Sequence, residues 1–563
     1  MRKAVAVAAI VVLLFLFFIA NRGAYEGYFS GDDLDNIGWT HQVSFSDFLV
    51  ALVSPRYYPH HFRPVGHMMY GLLGRAVGIE YRWYVRLIHA LHLLTAGLVA
   101  VLLLRIGLSW FAAGAGALFF LFHMGVFEVL WKPMFLFDLL CGLFCLLSLL
   151  SYTSRRYVLS FLLFWLAYKS KEHAVMLPVV FALYECWIGE RNWKRLAPFF
   201  AVSALFGLQA VMTSRDASNY QLDAHPLTLA RTFIFYAGKL TVEAWLAVFL
   251  IPLALRVKDR RMWLALSGAL LMILPVLALP SRMYGAYLYA SMPLAALAVG
   301  TAAQRLDKRM VAAFFLAWLP LNFQVMREHR KTEIARAHEN RAYVDRLRSL
   351  PVELPEVRRF VYDGHPPELQ EWGIRGILRY LYKDAEIEVY PVESRSLSQT
   401  LEAGGVALLS WENPVRKLDV LARRGDAADV AYLEMTRTIP VWQLGEGWYA
   451  VENGFRWSKP RAEARLYRPA GARQFELYVN AGPQYMKDVR RARVTIRLDG
   501  VEAGVVEFER EGWQRARIDL AAAAAGTVQV ELQVEPEYRP SKIDPRVLGI
   551  PVGGLGFVDK EKR

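Results

Sequence analysis

Long apolar runs separated by short polar connections fill the chain up to about residue 326 and then stop. A helix needs about 20 apolar residues to cross the hydrocarbon core of a bilayer. Residues 4–20 (AVAVAAIVVLLFLFFIA), directly after Met1-Arg2-Lys3, satisfy that need. A basic start and an apolar core also fit a cleaved signal peptide. The run is long for such a core and many more follow, so it reads as a retained first span. Further runs lie near 84–104, 109–126, 134–152, 157–168, 174–188, 196–213, 233–254, 262–280, 286–301 and 310–325. They predict roughly 11 spans.

After residue 326 the pattern shortens. RRFVYDG (358–364), EIEVYPV (386–392) and VALLSW (406–411) read as strands, with an amphipathic helix at WGIRGILRYLYK (372–383). That mixture predicts a small α/β domain over 327–445. QFELYVN (474–480), RVTIRLDG (493–500), GVVEFER (504–510), RARIDL (515–520) and TVQVELQVE (527–535) alternate apolar and polar positions between turns. They predict a β-sandwich over 446–563. The expected fold class is an α-helical polytopic membrane domain over 1–326 followed by these two soluble domains.

Composition agrees with this and removes alternatives. Among 563 residues, 55% are hydrophobic and 21% charged, which excludes a disordered chain. The net charge of +14 would suggest a nucleic-acid partner in a soluble protein. Here Arg2 and Lys3, Arg105, Arg155 and Arg156, the 191–195 cluster, Arg256–Arg261 and Arg305–Arg309 fall at every second connection. Excess Lys and Arg mark cytoplasmic loops. The charge is therefore topology, with no nucleic-acid partner implied. The N-terminus is expected inside and everything after 326 outside. The three cysteines, Cys141, Cys145 and Cys186, lie in apolar runs and offer no disulfide framework to an exported domain.

The polar residues that break the pattern gather on the predicted outer side. The first outer connection, about 21–83, carries Asp32, Asp33 and Asp35, then SPRYYPHHFRPVGHMMYGLL (54–73) with His61 and Arg63. The aspartates also suit a plain solvated loop. HMGVFEVLWKPMFLFDLL (123–140) places Glu128 and Lys132 in a turn and Asp138 inside a span. An Asp there costs about 2.5–3.5 kcal/mol, so it is functional or paired, a nearby Lys being the structural alternative. YKSKEHAVMLP (168–178) adds Lys169, Lys171, Glu172 and His173, and LPSRMYGAYLYASMP (279–293) adds Arg282, Tyr284 and Tyr287. Interfacial tyrosines also serve as simple membrane anchors. An Arg outside the cytoplasmic basic pattern invites an anionic partner such as a lipid phosphate. Group transfer on that side draws on lipid-borne donors. It needs a carboxylate to take an acceptor proton and cations to hold the departing phosphate.

GDDLDNI (31–37), HHFRPVGHMMYGL (60–72), His123 with Glu128 and Asp138, KSKEHAVMLP (169–178) and RMYGAYLYASMP (282–293) follow one another in this order. In that set the chain resembles the GT-C glycosyltransferases, most of all the protein O-mannosyltransferase branch. The resemblance covers about residues 20–300. It implies an inverting transfer of a sugar from a polyprenyl-phosphate donor to an acceptor hydroxyl on the outer face. Asp33 or Asp32 would be the base, with Glu128 and Asp138 as further catalytic carboxylates. Arg63, Lys171 and Arg282 would hold the donor phosphate, and His61, Glu172, His173 and Tyr287 would line the substrate. Leu136 stands where related sequences commonly carry Arg. Metal use varies in the superfamily, so a divalent cation is left open, as is a protein, lipid or polysaccharide acceptor.

Trp448, Trp457 and Tyr538 in the last domain suit either sugar stacking or a core. IPVGGLGF (550–557) lacks the Lys-Ser/Thr and helix of a phosphate loop. Two other functions compete. A transporter or flippase of a lipid-linked sugar would place its ionisable groups near the midplane, often in two related halves, and neither feature is present. A scaffold that only anchors the tail has no use for so many spans.

Overall fold

The structure, a computed structural model, describes residues 2–55, 63–213, 223–241, 250–349, 357–392, 406–412, 417–423, 429–435, 443–452, 454–540, 544 and 546–558. The chain forms two compact units, Met1–His338 and Glu339–Arg563.

The first unit is helical. Its helices are α1 (Arg2–Asn21), α2 (Gly31–Thr40), α3 (Phe45–Val53), α4 (Pro64–Ala76), α5 (Tyr81–Arg105), α6 (Trp110–Phe122), α7 (Leu136–Thr153) and α8 (Tyr157–Ser170). They continue with α9 (Leu177–Trp187), α10 (Ala197–Thr213), α11 (Pro226–Thr241), α12 (Leu250–Val257), α13 (Arg260–Leu277), α14 (Met292–Arg305) and α15 (Lys308–Arg348). Helix falls on every expected apolar run. The run 233–254 is met by two helices, α11 and α12, and the residues between them lie outside the described set.

Among the described residues five helices are long and apolar enough to cross a membrane, and six if the bent pair Trp110–Phe122 and Met124–Leu130 counts as one. The expected 11 is not reached by that measure, because several helices, such as α8, are shorter than a bilayer requires. Several apolar spans still mark an integral membrane protein.

Close packing holds these helices. In α6 and α14 the small residues Ala112, Ala113, Ala296 and Ala303 are buried, and a Cβ on Gly116 would lie 2.5 Å from the Ala296 carbonyl oxygen. Small side chains let two backbones approach where lipid offers no hydrophobic drive to association. Several basic connections contact one another. Arg261 donates to the Gly107 carbonyl and pairs with Asp259, which also receives Arg305, and Arg155 and Arg195 both pair with Glu190. The turns that carry the other polar clusters are on the alternate connections.

One expected outer loop is more ordered than its sequence suggests. The stretch after α1 folds into α2, α3 and α4. Helix α3 keeps Phe48 and Ala51 buried but leaves Phe45, Leu49, Val50 and Val53 exposed. This is the division expected of a helix lying in a membrane interface. Its C-terminal end is fixed to α8, since Trp165 Nε1 donates to the Leu52 carbonyl at 2.8 Å and Lys169 Nζ to that of Ser54 at 2.6 Å.

The second unit is rich in strands. β1 (Arg359–Asp363), β2 (Glu388–Pro391), β3 (Val406–Glu412) and β4 (Lys417–Arg423) form a sheet of order β2-β1-β3-β4. The first three are parallel, and α16 (Gln370–Tyr382) makes the crossover between β1 and β2. Helix α16 buries Ile374, Ile377 and Leu378 along one face.

The remaining strands are β5 (Tyr432–Glu434), β6 (Trp448–Glu452), β7 (Phe455–Ser458), β8 (Arg461–Arg468), β9 (Gln474–Ala481), β10 (Ala492–Leu498), β11 (Val501–Phe508), β12 (Gly512–Asp519), β13 (Gly526–Glu535) and β14 (Pro551–Val558), with a short α17 (Pro483–Val489). They make two sheets, β11-β10-β13-β8 and β12-β9-β14-β7-β6 with β5 beside β14. Alternation decides which side of each strand is buried. In β13 Val528, Val530, Leu532 and Val534 face the core.

Val361, Val392 and Val406 of the parallel sheet share this core with the sandwich, and Arg456 of β7 forms a fully buried ion pair with Asp363 at the end of β1. The change of sheet falls between β4 and β5, ahead of the expected boundary at 445/446, since β5 already pairs with β14, and both sheets lie in one compact unit. Trp448 and Tyr538 are buried and Trp457 stacks on Tyr538, so all three serve the core. The glycine-rich IPVGGLGF contributes a central strand.

Candidate functional site

Two ion pairs form the middle of the polar cluster. Lys171, just after α8, donates to both oxygens of Asp138 in the first turn of α7, at 2.7 and 2.6 Å, with both side chains buried. The Arg63 guanidinium, immediately before α4, forms a two-pronged contact with Glu172, each prong 3.0 Å. The partners in the second pair are 109 residues apart in the chain. For Glu172, burial acts to raise the carboxyl pKa, but Arg63 prevails and holds it down to about 2. The neighbouring His173 imidazole is pushed down to about 3, by burial first and then by the Lys171 charge.

Rings connect these pairs to the acidic loop. Phe137 lies 5.5 Å below the Arg63 guanidinium, packs edge-on against His67 and stacks on Tyr70. The Tyr70 hydroxyl donates to Asp33 Oδ1 at 2.7 Å. Asp33 Oδ2 receives the Ser30 backbone N–H at 2.8 Å and the Ser30 hydroxyl at 2.7 Å. Ser30 and Asp33 thereby form a reciprocal capping box that starts α2. Burial pushes the Asp33 pKa up to about 6 against these hydrogen bonds. Both Asp33 oxygens are occupied, whereas the adjacent Asp32 is exposed.

The third side is made by two turns, Met124–Leu130 and Gly285–Leu288. A Cβ on Gly285 would lie 2.5 Å from the Gly125 carbonyl oxygen and 3.5 Å from Glu128 Oε2. Only glycine allows that approach, which carries Glu128 to the Tyr284–Tyr287 segment. Lys171 Nζ lies 4.5 Å from the centre of the Tyr287 ring, and the His173 ring is 5.0 Å from it. Arg282 is within hydrogen-bonding range of Tyr287.

The expected residues therefore separate as follows. Asp33, Arg63, Asp138, Lys171, Glu172, His173, Tyr287, Glu128 and Arg282 belong to one contiguous set of contacts. Asp32 lies beside it on the exposed side of α2, and His61 lies outside the described residues. Asp138 has the lysine partner named as its structural alternative. Tyr236 of α11, fully buried and within electrostatic reach of Tyr287, Asp138 and Glu128, was not anticipated. A tyrosine in an apolar run gives no signal of its own. Among the described residues no group of three or more His, Cys, Asp or Glu side chains is arranged to hold a metal ion.

No family model and no curated protein matches the chain. Solved structures of ArnT from Cupriavidus metallidurans are similar in shape. The apo form superimposes with a TM-score of 0.46 at 13% identity, over 73% of this chain and 94% of that one. The form bound to undecaprenyl phosphate gives 0.43 at 15% identity, with the same coverage. At those values the likeness carries no weight in assigning an activity.

Proposed function

We propose that the protein is a membrane glycosyltransferase of the GT-C type, moving a sugar from a polyprenyl-phosphate donor to an acceptor hydroxyl on the outer face. The observation that carries this reading is the convergence of Arg63, Lys171, Glu172, Asp138, Tyr287, Glu128 and Asp33 from five separate stretches of the helical unit. The ordered motifs that resemble that superfamily fall on the same residues. Carboxylates and cations held together beside lipid are what transfer from a lipid phosphate requires.

In this reading Asp32 is the general base. It is exposed, whereas Asp33 is buried and holds α2 in place. The acceptor oxygen attacks the anomeric carbon as its proton passes to Asp32, and the carbon–oxygen bond to the donor phosphate breaks with inversion. The phosphate leaves as an anion. Arg282 and the matched pairs Arg63–Glu172 and Lys171–Asp138 supply a polar bed for it. A phosphate that displaces Glu172 from Arg63 takes over both guanidinium hydrogen bonds.

The test is transfer itself. Purified protein given a radiolabelled polyprenyl-phosphate sugar and extracted envelope acceptors should yield a labelled glycoside. Movement of the label across sealed vesicles without a new glycosidic bond would support transport in its place.

A further inference from the structure

Buried polar atoms normally find a partner. In this cluster three do not: Glu128 Oε2, His173 Nε2 and the Tyr236 hydroxyl. They come from the Met124–Leu130 turn, the Glu172–Met176 turn and α11, and they border one segment, Gly285–Leu288. Glu128 Oε2 lies beside Gly285. His173 packs on the Tyr287 ring. Tyr236 is 1% exposed, and its hydroxyl lies near the Tyr284 backbone.

The chemistry of the three atoms narrows the ligand. A carboxylate oxygen accepts, a phenol hydroxyl donates and accepts, and an imidazole nitrogen does either according to its tautomer. Groups of that kind suit hydroxyls, which also do both. The adjoining cations Lys171 and Arg63 are each matched by a carboxylate, so nothing here calls for a second anion. We propose that Glu128, Tyr236 and His173 form the subsite that recognises the sugar hydroxyls of the lipid-linked donor. This rests on the glycosyltransferase reading, and within it moves Glu128 from catalysis to recognition and adds Tyr236.

The test uses the whole protein in phospholipid nanodiscs. Its probes are polyprenyl phosphate alone and a panel of polyprenyl-phosphate hexoses and pentoses. At least one sugar-bearing lipid should bind the wild type more tightly than the bare lipid. Tyr236→Phe and Glu128→Gln, both nearly isosteric, should each weaken that lipid roughly tenfold and leave the bare lipid within about twofold. Three results would overturn the subsite. They are equal weakening of both lipids by the variants, no change in either (as when water alone fills the space), and a wild type to which no sugar adds affinity. If the wild type fails to bind even the bare lipid phosphate, the donor reading itself falls, and the subsite with it.

Discussion

Asp33 shows how one carboxyl can serve structure where chemistry was expected. SGDD contains Ser30 three residues before Asp33, the spacing of a capping box, and that signal was available in the sequence. What no local pattern contained was Tyr70, which closes the second oxygen from another helix. The burial that follows has a consequence for pH. A carboxyl whose folded pKa lies above its ordinary value contributes stability fully below that ordinary value and loses it as pH rises through the folded one. Asp33, at about 6, should therefore make the wild type lose stability between pH 4 and 7, by on the order of 3 kcal/mol. Melting curves of wild type and Asp33→Asn across that range check this, because the variant should lack that dependence. Glu172, held near 2 by Arg63, acts in the opposite sense at the acid end of that window, adding stability as pH rises through the ordinary carboxylate range and no slope above it.

At the level of elements, the apolar runs were plain in the sequence because twenty-residue hydrophobic stretches have few other uses. The helices α2, α3 and α4 were not, since a polar loop containing prolines and histidines has no single period. Nor was the Arg63–Glu172 pair, whose members the chain brings together from distant segments. The Lys171–Asp138 pair ties the start of α7 to the end of α8. Replacing one partner of a buried pair leaves an uncompensated charge and costs about 3–5 kcal/mol. Lys171→Met should accordingly lower the yield of folded, detergent-stable protein, and Asp138→Leu added to it should restore that yield without restoring transfer. Size-exclusion profiles and melting temperatures of the two variants would reveal a different pattern if the pair merely decorates the surface.

For the whole molecule, the charge rule divides the connections into two sets, and members of the basic set meet one another, Arg155 and Arg195 on Glu190 and Arg261 and Arg305 on Asp259. The strand-rich second unit follows the last apolar helix, so the topology predicts opposite accessibility for the two regions. A cysteine placed at Lys194 should react with a membrane-impermeant maleimide only in inverted vesicles, and one placed at Glu511 only in intact cells. Labelling of both from the same side would reverse the orientation. Strands β9 to β13 were legible because they alternate, whereas VGGLGF in β14 has too few side chains to show a period. Its glycines are covered by neighbours instead, with Trp513 over Gly553 and Tyr432 over Gly554.

The proposed transfer depends on an exposed aspartate next to a buried one, with the first doing the chemistry. Steady-state transfer from a radiolabelled polyprenyl-phosphate sugar, measured on folded Asp32→Asn and Asp33→Asn proteins side by side, addresses that point. Asp32→Asn should lose about 10²–10⁴-fold in kcat, the range of a general base, while Asp33→Asn stays within about tenfold of the wild type. Full turnover by Asp32→Asn, or its abolition in a well-folded Asp33→Asn, would contradict the account.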